Sequence, residues 1–300
     1  MQYLNNFDYN DIDKGIETLK NCQIKFYPTF CNDSNVNDNI IIYHVYWYGV
    51  LSRKQLLCIK SYLATQNLEK TKLYVWLDFD NGYNQTNIDL IPTCPNIEIK
   101  SYNPKIESQG TPFEEKSFIF ETHFLKFRSD CARMIFLYKY GGLYYDLDMI
   151  LLKDLMPLLG IEFCYSWADK KFGNNGILRL MKGSNTCSQL MNKYIKVLKT
   201  ARFNIMFNSK IFTSEIKIVC LPSVLFDPVW ILFDKKITSK YSLLNDFDNF
   251  FKKANEKITI NTFFEGVIFA YHWHSRNNME VELDSYFEQL ESNIHLLLNK

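Results

Sequence analysis

The sequence predicts an α/β protein built on a mostly parallel sheet with crossover helices. Three runs rich in β-branched and aromatic residues, 39–49, 72–80 and 96–102, are typical of buried strands. A helical pattern follows the first run and begins with the capping box Ser52-x-x-Gln55. Strands and helices that alternate at these lengths favour parallel pairing through crossover connections.

The composition indicates one large globular domain. The 300 residues are 47% hydrophobic and 16% aromatic, which is enough to form a core, and the net charge of +1 argues against a nucleic-acid-binding protein. The cysteines are scattered without a C-x-x-C pair, as in proteins of a reducing compartment. We expect an N-terminal arm or small helix at 1–38, the main domain at 39–282 and an amphipathic helix docked on it at 283–300.

No secretory or membrane-spanning segment is visible in the sequence. Its start lacks an apolar core of the kind found in signal peptides. No apolar run reaches the roughly 20 residues that a membrane span requires. These observations favour a cytoplasmic protein, for which peripheral membrane contact remains open.

The longest helical pattern covers residues 115–140 and is apolar along one side. Gly141 and Gly142 are expected to end this helix, because glycine adopts the left-handed conformation of a helix C-terminus. Asp130 and Arg133 are three residues apart, so their side chains project together. They form either an ion pair on a solvated face or part of a site.

The pair Asp146 and Asp148 follows the two glycines, within a run that has the composition of an interior strand. The Asp-x-Asp pattern occurs elsewhere in the chain, but only this copy combines preceding glycines, a strand and apolar residues beyond it. In extended geometry the two carboxylates share one face, roughly 6–7 Å apart. The alternative, a strand end where both acids reach solvent, fits Asp78 and Asp80.

A divalent cation would relieve the repulsion between Asp146 and Asp148. Carboxylate oxygens suit Mg²⁺ or Mn²⁺, and phosphate oxygens commonly complete the coordination shell. At the predicted spacing, one carboxylate would bind the metal and the other would hold a water or a hydroxyl of the ligand. The pair therefore predicts a metal site for a phosphate-containing substrate.

The run "FRSDCARMIFLYKYGGLYYDLDMILLKDL" resembles the DXD region of glycosyltransferase family 32, the DXD sugar-binding family. That family includes fungal mannosyltransferases and vertebrate α1,4-glycosyltransferases, and clostridial glucosylating toxins are its relatives. Weaker matches occur in the family's order at "IIYHVYWYG", "NNGILRLMKGS", "LPSVLFDPVW" and "YHWHS". The positions that match the DXD block are Ser129, Asp130, Arg133, Gly141, Gly142, Tyr144, Asp146 and Asp148.

The resemblance implies a GT-A fold with a Rossmann-like, mostly parallel sheet. It implies a retaining enzyme that uses Mn²⁺ or Mg²⁺ to move a hexose from a UDP- or GDP-sugar to a hydroxyl of a glycan, protein or lipid. The implied catalytic residues are Asp146, Asp148 and Arg133. The implied metal ligands are Asp148, Asp146 and His272. The implied donor-binding residues are Tyr46, Trp47, Asp130, Arg133, Tyr144, Asp146, Asn174, Asn175 and Ser275.

The late motif, "YHWHS" at residues 271–275, departs from the family pattern. The family often ends this motif with Ser-Trp, whereas this chain has Ser275 followed by Arg276. The departure leaves open whether His272 or His274 makes the late metal or phosphate contact. Trp47 is likewise as typical of a core residue as of one that stacks on a base.

Two other functions remain open from the sequence. The chain can be a nucleotide-sugar-binding protein without transfer activity, or a metal-dependent enzyme of phosphoryl transfer. A P-loop NTPase, a Rossmann dehydrogenase and a serine hydrolase are disfavoured, because their glycine-containing motifs are missing from the expected places.

Overall fold

The computed structural model describes residues 7–30, 40–80, 84–116, 125–170, 172–198, 210–212, 215–235, 239–241, 244 and 246–299. Its strands are β1 (Ile41–Trp47), β2 (Thr71–Asp78), β3 (Ile97–Tyr102), β4 (Gly142–Tyr145), β5 (Met149–Leu151), β6 (Phe163–Ser166), β7 (Gly173–Leu180), β8 (Val219–Leu221) and β9 (Ala270–His272). Its α-helices are α1 (Ile12–Phe30), α2 (Arg53–Thr65), α3 (Gln85–Leu90), α4 (Pro104–Glu107), α5 (Leu125–Tyr140), α6 (Asn185–Leu198), α7 (Pro228–Lys235) and α8 (Tyr286–Leu298).

Seven of these strands form one central sheet in the order β3-β2-β1-β4-β7-β6-β8. All neighbours pair in parallel except at β7, which is antiparallel to both β4 and β6. Strands β5 and β9 form a separate antiparallel pair. The predicted α/β class with a mostly parallel Rossmann-like sheet and additional helices is therefore confirmed.

The first three predicted strands correspond to β1, β2 and β3, and the predicted capping box is present. The Ser52 side chain accepts from the Lys54 amide in the first turn of α2, and the Gln55 side-chain oxygen accepts from the Ser52 amide. Strand β1 is buried on both sides, as expected for the interior of a parallel sheet. The sequence therefore predicted this half of the sheet well.

The long helix begins later than predicted. Helix α5 starts at Leu125 in the described residues, and the predicted start at Glu115 is wrong, because residues 111–115 form turns and Glu115 has a φ of 61°. Positions 117–124 lie outside the described residues. Gly141 ends α5 with a φ of 66°, as predicted.

Gly142 allows β4 to approach β1 closely. Its φ is 101°, and a Cβ at this position would lie 1.9 Å from the carbonyl oxygen of Ile42. Only glycine fits here without displacing the backbone of β1. Gly141 thus ends α5, and Gly142 allows β4, the strand that leads to Asp146, to pair closely with β1.

His44, from the sequence motif of the first strand, belongs to the core. It is fully buried, accepts a bond from Trp76 Nε1 at 3.1 Å and lies 2.9 Å from the Gly141 carbonyl through Nε2. This arrangement places the ring proton on Nε2. Burial lowers the pKa of His44 to about 4, against the opposing effect of the Gly141 bond.

The C-terminal helix α8 buries Phe287, Leu290 and Ile294 in the larger hydrophobic core. Leu283 precedes the helix and is exposed, so it does not belong to the buried stripe. No helix in the described part of the chain is long and apolar enough to cross a bilayer.

Candidate active site

A cleft of about 660 Å³ lies at the carboxyl edge of the central sheet. Strands β1, β4 and β6 all end at this edge, because they run in the same direction. Strand β7 runs the opposite way and therefore begins there with Asn174 and Asn175. Ligands of open α/β sheets bind at this edge.

Asp146 and Asp148 do not lie in one extended strand, as the sequence suggested. They occupy a turn between β4 and β5, closed by a bond of 3.1 Å from the Met149 amide to the Asp146 carbonyl. Both side chains nevertheless line the cleft. With His272 they offer three ligand atoms that lie within 4.8 Å of one another. The turn thus brings the carboxylates closer together than a strand would.

Asp148 is held by residues 272–275, the segment that contains His272 and His274. Its Oδ1 lies 2.9 Å from His272 Nε2, and its Oδ2 accepts from the Ser275 amide at 2.7 Å. Burial raises the pKa of Asp148, but the His272 contact outweighs burial and brings it well below its usual range. Burial likewise lowers the pKa of His272, yet Asp148 raises it to about 9 overall.

His274 shares the face of His272, as the i,i+2 spacing predicted. Their rings stack with centroids 3.8 Å apart, and His274 Nε2 lies 2.7 Å from Asp227 Oδ2. His274 and Ser275 both have positive φ values, 49° and 60°. Strained backbone of this kind is characteristic of functional sites.

Asp227 is a site residue that the sequence analysis missed. It is buried, and its carboxylate lies near both histidines, 4.0 Å from His272 Nδ1. The available signal was an acid inside the apolar run "VLFDPVW". A buried carboxylate requires a partner, and the two late histidines supply it.

Arg133 lies at the centre of a second polar cluster, under the carboxylates. Its guanidinium donates to Asp146 Oδ1 at 2.9 Å, to Ser129 Oγ at 3.1 Å and to the Asn175 carbonyl at 2.5 Å. Asp130 Oδ1 lies 3.4 Å from Arg133 Nε. The pair is buried, so the alternative of a solvated surface ion pair is wrong.

Asp130 retains an unused acceptor in this cluster. Its Oδ1 accepts from Asn175 Nδ2 at 2.7 Å, whereas its buried Oδ2 has no hydrogen-bond partner among the described residues. Burial raises the pKa of Asp130 to about 6, although Arg133 opposes the shift. A buried oxygen without a partner at a cleft wall is suited to accept a bond from a ligand hydroxyl.

Tyr144, Asn174 and Asn175, which the resemblance implied as residues that bind the donor substrate, make side-chain hydrogen bonds within the protein. Tyr144 is buried outside the cleft lining, where it donates to Asp146 Oδ1 at 3.1 Å beneath the Arg133 guanidinium. Asn174 accepts from the Gly176 amide, and Asn175 donates to Tyr194 as well as to Asp130. Both asparagines line the cleft from strand β7 rather than from a turn.

The other end of the cleft is formed by the end of β1. Trp47 is half-buried and lines the cleft, with Nε1 donating to the Val50 carbonyl. Tyr46 also lines the cleft, and its hydroxyl donates to Asp78 Oδ2 at 2.5 Å. This edge therefore presents aromatic rings beside the polar centre.

Asp78 was expected to reach solvent, and that expectation is wrong. The side chain is fully buried and accepts from Arg128 Nη2 at 2.7 and 2.8 Å. Asp80 is exposed but also bonds Arg128 at 2.9 Å. Arg128 neutralises the Asp78 carboxylate. Arg128 lies on α5, one residue before Ser129, and the sequence analysis did not identify it as a partner of Asp78.

Arg276 does not line the cleft. Its Nε donates to Asp248 Oδ1 at 2.9 Å, and its Nη1 donates to the His274 carbonyl at 3.1 Å. Arg276, which stands where the family often has tryptophan, therefore stabilises the segment of His274 from outside the cleft.

The donor atoms at the cleft fit a hard divalent cation. Asp146, Asp148 and His272 provide two carboxylates and one imidazole within bonding range of a common point. Asp227, His272 and His274 form a second group with the same ligand types. The first group faces the open cleft through both carboxylates and is the better place for a metal that also binds phosphate.

Comparisons with known proteins agree with this site. A family described as the glycosyltransferase sugar-binding region containing the DXD motif matches residues 63–164. Over 85 residues the chain is 34% identical to lactosylceramide 4-alpha-galactosyltransferase of Rattus norvegicus and, equally, of Mus musculus. The aligned part is 26% of this chain and 24% of each relative, so the chain matches about a quarter of their length.

Two solved glycosyltransferases have similar chains. PaToxG glycosyltransferase is 12% identical with a TM-score of 0.43, covering 72% of this chain and 78% of its own. GlyE of Streptococcus pneumoniae TIGR4 is 16% identical with a TM-score of 0.45, covering 87% and 62%. The matched residues 63–164 include Asp130, Arg133, Asp146 and Asp148, so this part of the chain is similar to the DXD-containing glycosyltransferase sugar-binding region.

Proposed function

We propose that the protein is a metal-dependent, retaining glycosyltransferase that moves a hexose from a nucleotide-diphosphate sugar to an acceptor hydroxyl. The observation that carries this proposal is the convergence of Asp146, Asp148 and His272 in an open cleft at the ligand-binding edge of the sheet. The similarity of residues 63–164 to the glycosyltransferase DXD region supports it. We assign the transferase domain to 39–282.

The residues that would hold Mn²⁺ or Mg²⁺ are Asp148, Asp146 and His272. When bound, the cation supplies positive charge to the departing nucleoside diphosphate. Arg133 adds a fixed positive charge beside Asp146, and its hydrogen bonds to Asp146, Ser129 and Asn175 hold it in place without reorganisation. Tyr144 and Ser129 orient these two side chains.

The donor fits across the cleft from β1 to Asp130. Trp47 would stack on the base, and the backbone near Tyr46 would bond the edge of the base. The unpartnered Oδ2 of Asp130 would accept a bond from a hydroxyl of the donor sugar. The Ser275 amide holds Asp148 in place, so we assign Ser275 to the support of the metal ligand.

In the transfer step the acceptor oxygen forms a bond to the anomeric carbon while the bond from that carbon to the phosphate oxygen breaks. The electron pair leaves with the phosphate, which also takes the acceptor proton. Among the described residues that line the cleft, the carboxylates are Asp130, Asp146 and Asp148, and each is bonded to another side chain. None of them is assigned as a nucleophile, and attack on the same face follows from the resemblance to the DXD family.

The proposal is tested by a thermal-shift screen of UDP- and GDP-sugars with and without Mn²⁺, followed by assay of nucleoside diphosphate release. One donor should stabilise the protein in the presence of Mn²⁺, and turnover should release nucleoside diphosphate and sugar. Asp148→Asn should lower turnover by about 10³-fold. Asp11→Asn, a substitution in another Asp-x-Asp pair at an exposed residue that does not line the cleft, is the matched control and should leave turnover unchanged.

The same experiment separates the competing functions. Binding of a donor without turnover would indicate a nucleotide-sugar-binding protein, and release of inorganic phosphate would indicate phosphoryl transfer. The curated relatives are named for transfer of galactose to lactosylceramide. Galactose is therefore the first donor sugar to test, and cytoplasmic glycans, proteins and lipids are the acceptor classes.

A further inference from the structure

We infer that Trp167 and Trp230 form an acceptor subsite that receives a neutral pyranose ring. This inference rests on the proposed function and names the acceptor class for the same cleft. Both tryptophans line the cleft and are half-buried, so part of each indole faces the space next to the acids.

The two indoles form a corner rather than a stack. Their ring centroids lie 5.1 Å apart, and their planes meet at 78°. Trp167 follows the end of β6, and Trp230 lies on α7. A pyranose has apolar C–H faces and a hydroxyl rim, so it can pack one face on an aromatic plane while its edge contacts the second.

The corner lies beside the reacting centre. The Trp230 ring centroid is 4.5 Å from that of His274, which in turn stacks on His272 at 3.8 Å. His272 contacts Asp148 at 2.9 Å. Two ring contacts and one hydrogen bond thus connect Trp230 to the proposed metal ligand.

The corner also lies on the opposite side of the acids from the proposed base site. In the sheet order, β6 is separated from β1 by β4 and β7. Three inter-strand spacings correspond to about 14 Å. Trp47 at the end of β1 and Trp167 after β6 therefore lie on either side of Asp146, which follows β4. A base bound at Trp47 and a pyranose bound at Trp167 would have Asp146 and Asp148 between them.

The chemistry of the corner favours a neutral hydroxylated occupant. The described lysine and arginine that line the cleft, Lys126 and Arg133, both belong to α5, and the β6 end and α7 contribute aromatic rings. The buried Nε1 of Trp167 has no hydrogen-bond partner in the part of the chain that the structure describes. Such a donor is costly when it remains unpaired, and a sugar hydroxyl would satisfy it whereas an alkyl chain would not.

The experiment compares two activities of the full-length protein with Mn²⁺ and the donor found in the screen. Hydrolysis of the donor reports the donor site, and transfer to methyl α- and β-pyranosides of glucose, galactose and mannose reports the acceptor site. Saturation-transfer-difference NMR with the same methyl glycosides measures binding independently of turnover. The variants are Trp230→Ala and Trp167→Ala, with Trp230→Phe as the conservative change and Trp47→Ala as the matched control at the other end.

We expect wild type to accept at least one methyl pyranoside. Trp230→Ala and Trp167→Ala should raise KM for that glycoside about tenfold or more, corresponding to 1.4 kcal/mol, and abolish saturation of its ring protons. Donor hydrolysis should stay unchanged, and Trp230→Phe should recover most of the transfer. Trp47→Ala should show the reverse pattern, with a raised KM for the donor.

Several outcomes would overturn the inference. Hydrolysis that falls in proportion to transfer in Trp230→Ala would assign the corner to the donor sugar. Hydrolysis by wild type without transfer to, or saturation of, any glycoside would exclude a pyranose while leaving the proposed function intact. Saturation that depends on Trp230 without any donor turnover would support the sugar site and contradict the transferase.

Discussion

The carboxylate of Asp148 and the imidazole of His272 lie 2.9 Å apart, although one follows strand β4 and the other ends strand β9. The contact is supported by the antiparallel pairing of β5 with β9, in which Met149 is opposite His272. The proposed metal ligands thus come from two distant segments that one small strand pair holds in register. The pairing of β5 with β9 places His272 beside the turn that contains Asp146 and Asp148, so the two segments together form the proposed site.

Arg133→Lys should lower kcat by about 10²-fold while the protein remains folded. Lysine keeps the charge, but its single nitrogen cannot reach Asp146, Ser129 and the Asn175 carbonyl in the planar geometry of the guanidinium. Steady-state kinetics with the identified donor measure the change. Arg53→Lys, in an exposed ion pair with Glu291, is the control and should be silent. An Arg133→Lys enzyme with the kcat of wild type would exclude the electrostatic role.

Arg128→Met should destabilise the protein by about 3–5 kcal/mol, because it leaves the buried Asp78 carboxylate without its charged partner. The double variant Arg128→Met/Asp78→Asn should be more stable than Arg128→Met alone, since it removes the stranded charge. Urea unfolding of the three proteins measures this difference. Equal stability of wild type and Arg128→Met would show that the pair makes no net contribution.

The free energy of unfolding should fall by roughly 2 kcal/mol from pH 7.5 to pH 5 through His44 alone. The unfolded histidine takes up a proton below its ordinary pKa of 6.5, whereas the buried ring stays neutral until about pH 4. Protonation therefore favours the unfolded state across this interval. His44→Gln should lose this part of the pH dependence in chemical unfolding, and a slope identical to that of wild type would contradict the assignment.

The local patterns of the sequence predicted the elements that depend on local chemistry. The capping box at Ser52, the glycine stop at Gly141 and the first three strands all follow from residue type and spacing. The predicted start of α5 at Glu115 failed, because residues 112–115 form turns that the apolar pattern further along the helix does not reveal. Periodicity shows which side of a segment is apolar without showing where the helix begins.

Several side chains that the sequence singled out line one cleft, but the sequence did not predict the geometry in which they meet. Asp146 and Asp148 line the cleft from a turn, since a strand that changes sheets after Tyr145 has to bend between them. The burial of Asp78 and the role of Asp227 depend on Arg128 and on the late histidines, which contact them only in the folded chain. Partners at such sequence separations leave no local pattern.

The most direct test of the central claim is Mn²⁺ binding, measured by electron paramagnetic resonance with and without UDP or GDP. Wild type should bind Mn²⁺ more tightly when the matching nucleoside diphosphate is present, and Asp148→Asn should weaken that binding by about tenfold or more. The exposed Asp11→Asn control should bind Mn²⁺ as wild type does. Equal Mn²⁺ affinity in wild type and Asp148→Asn, unaffected by either nucleotide, would contradict the metal site and the transferase built on it.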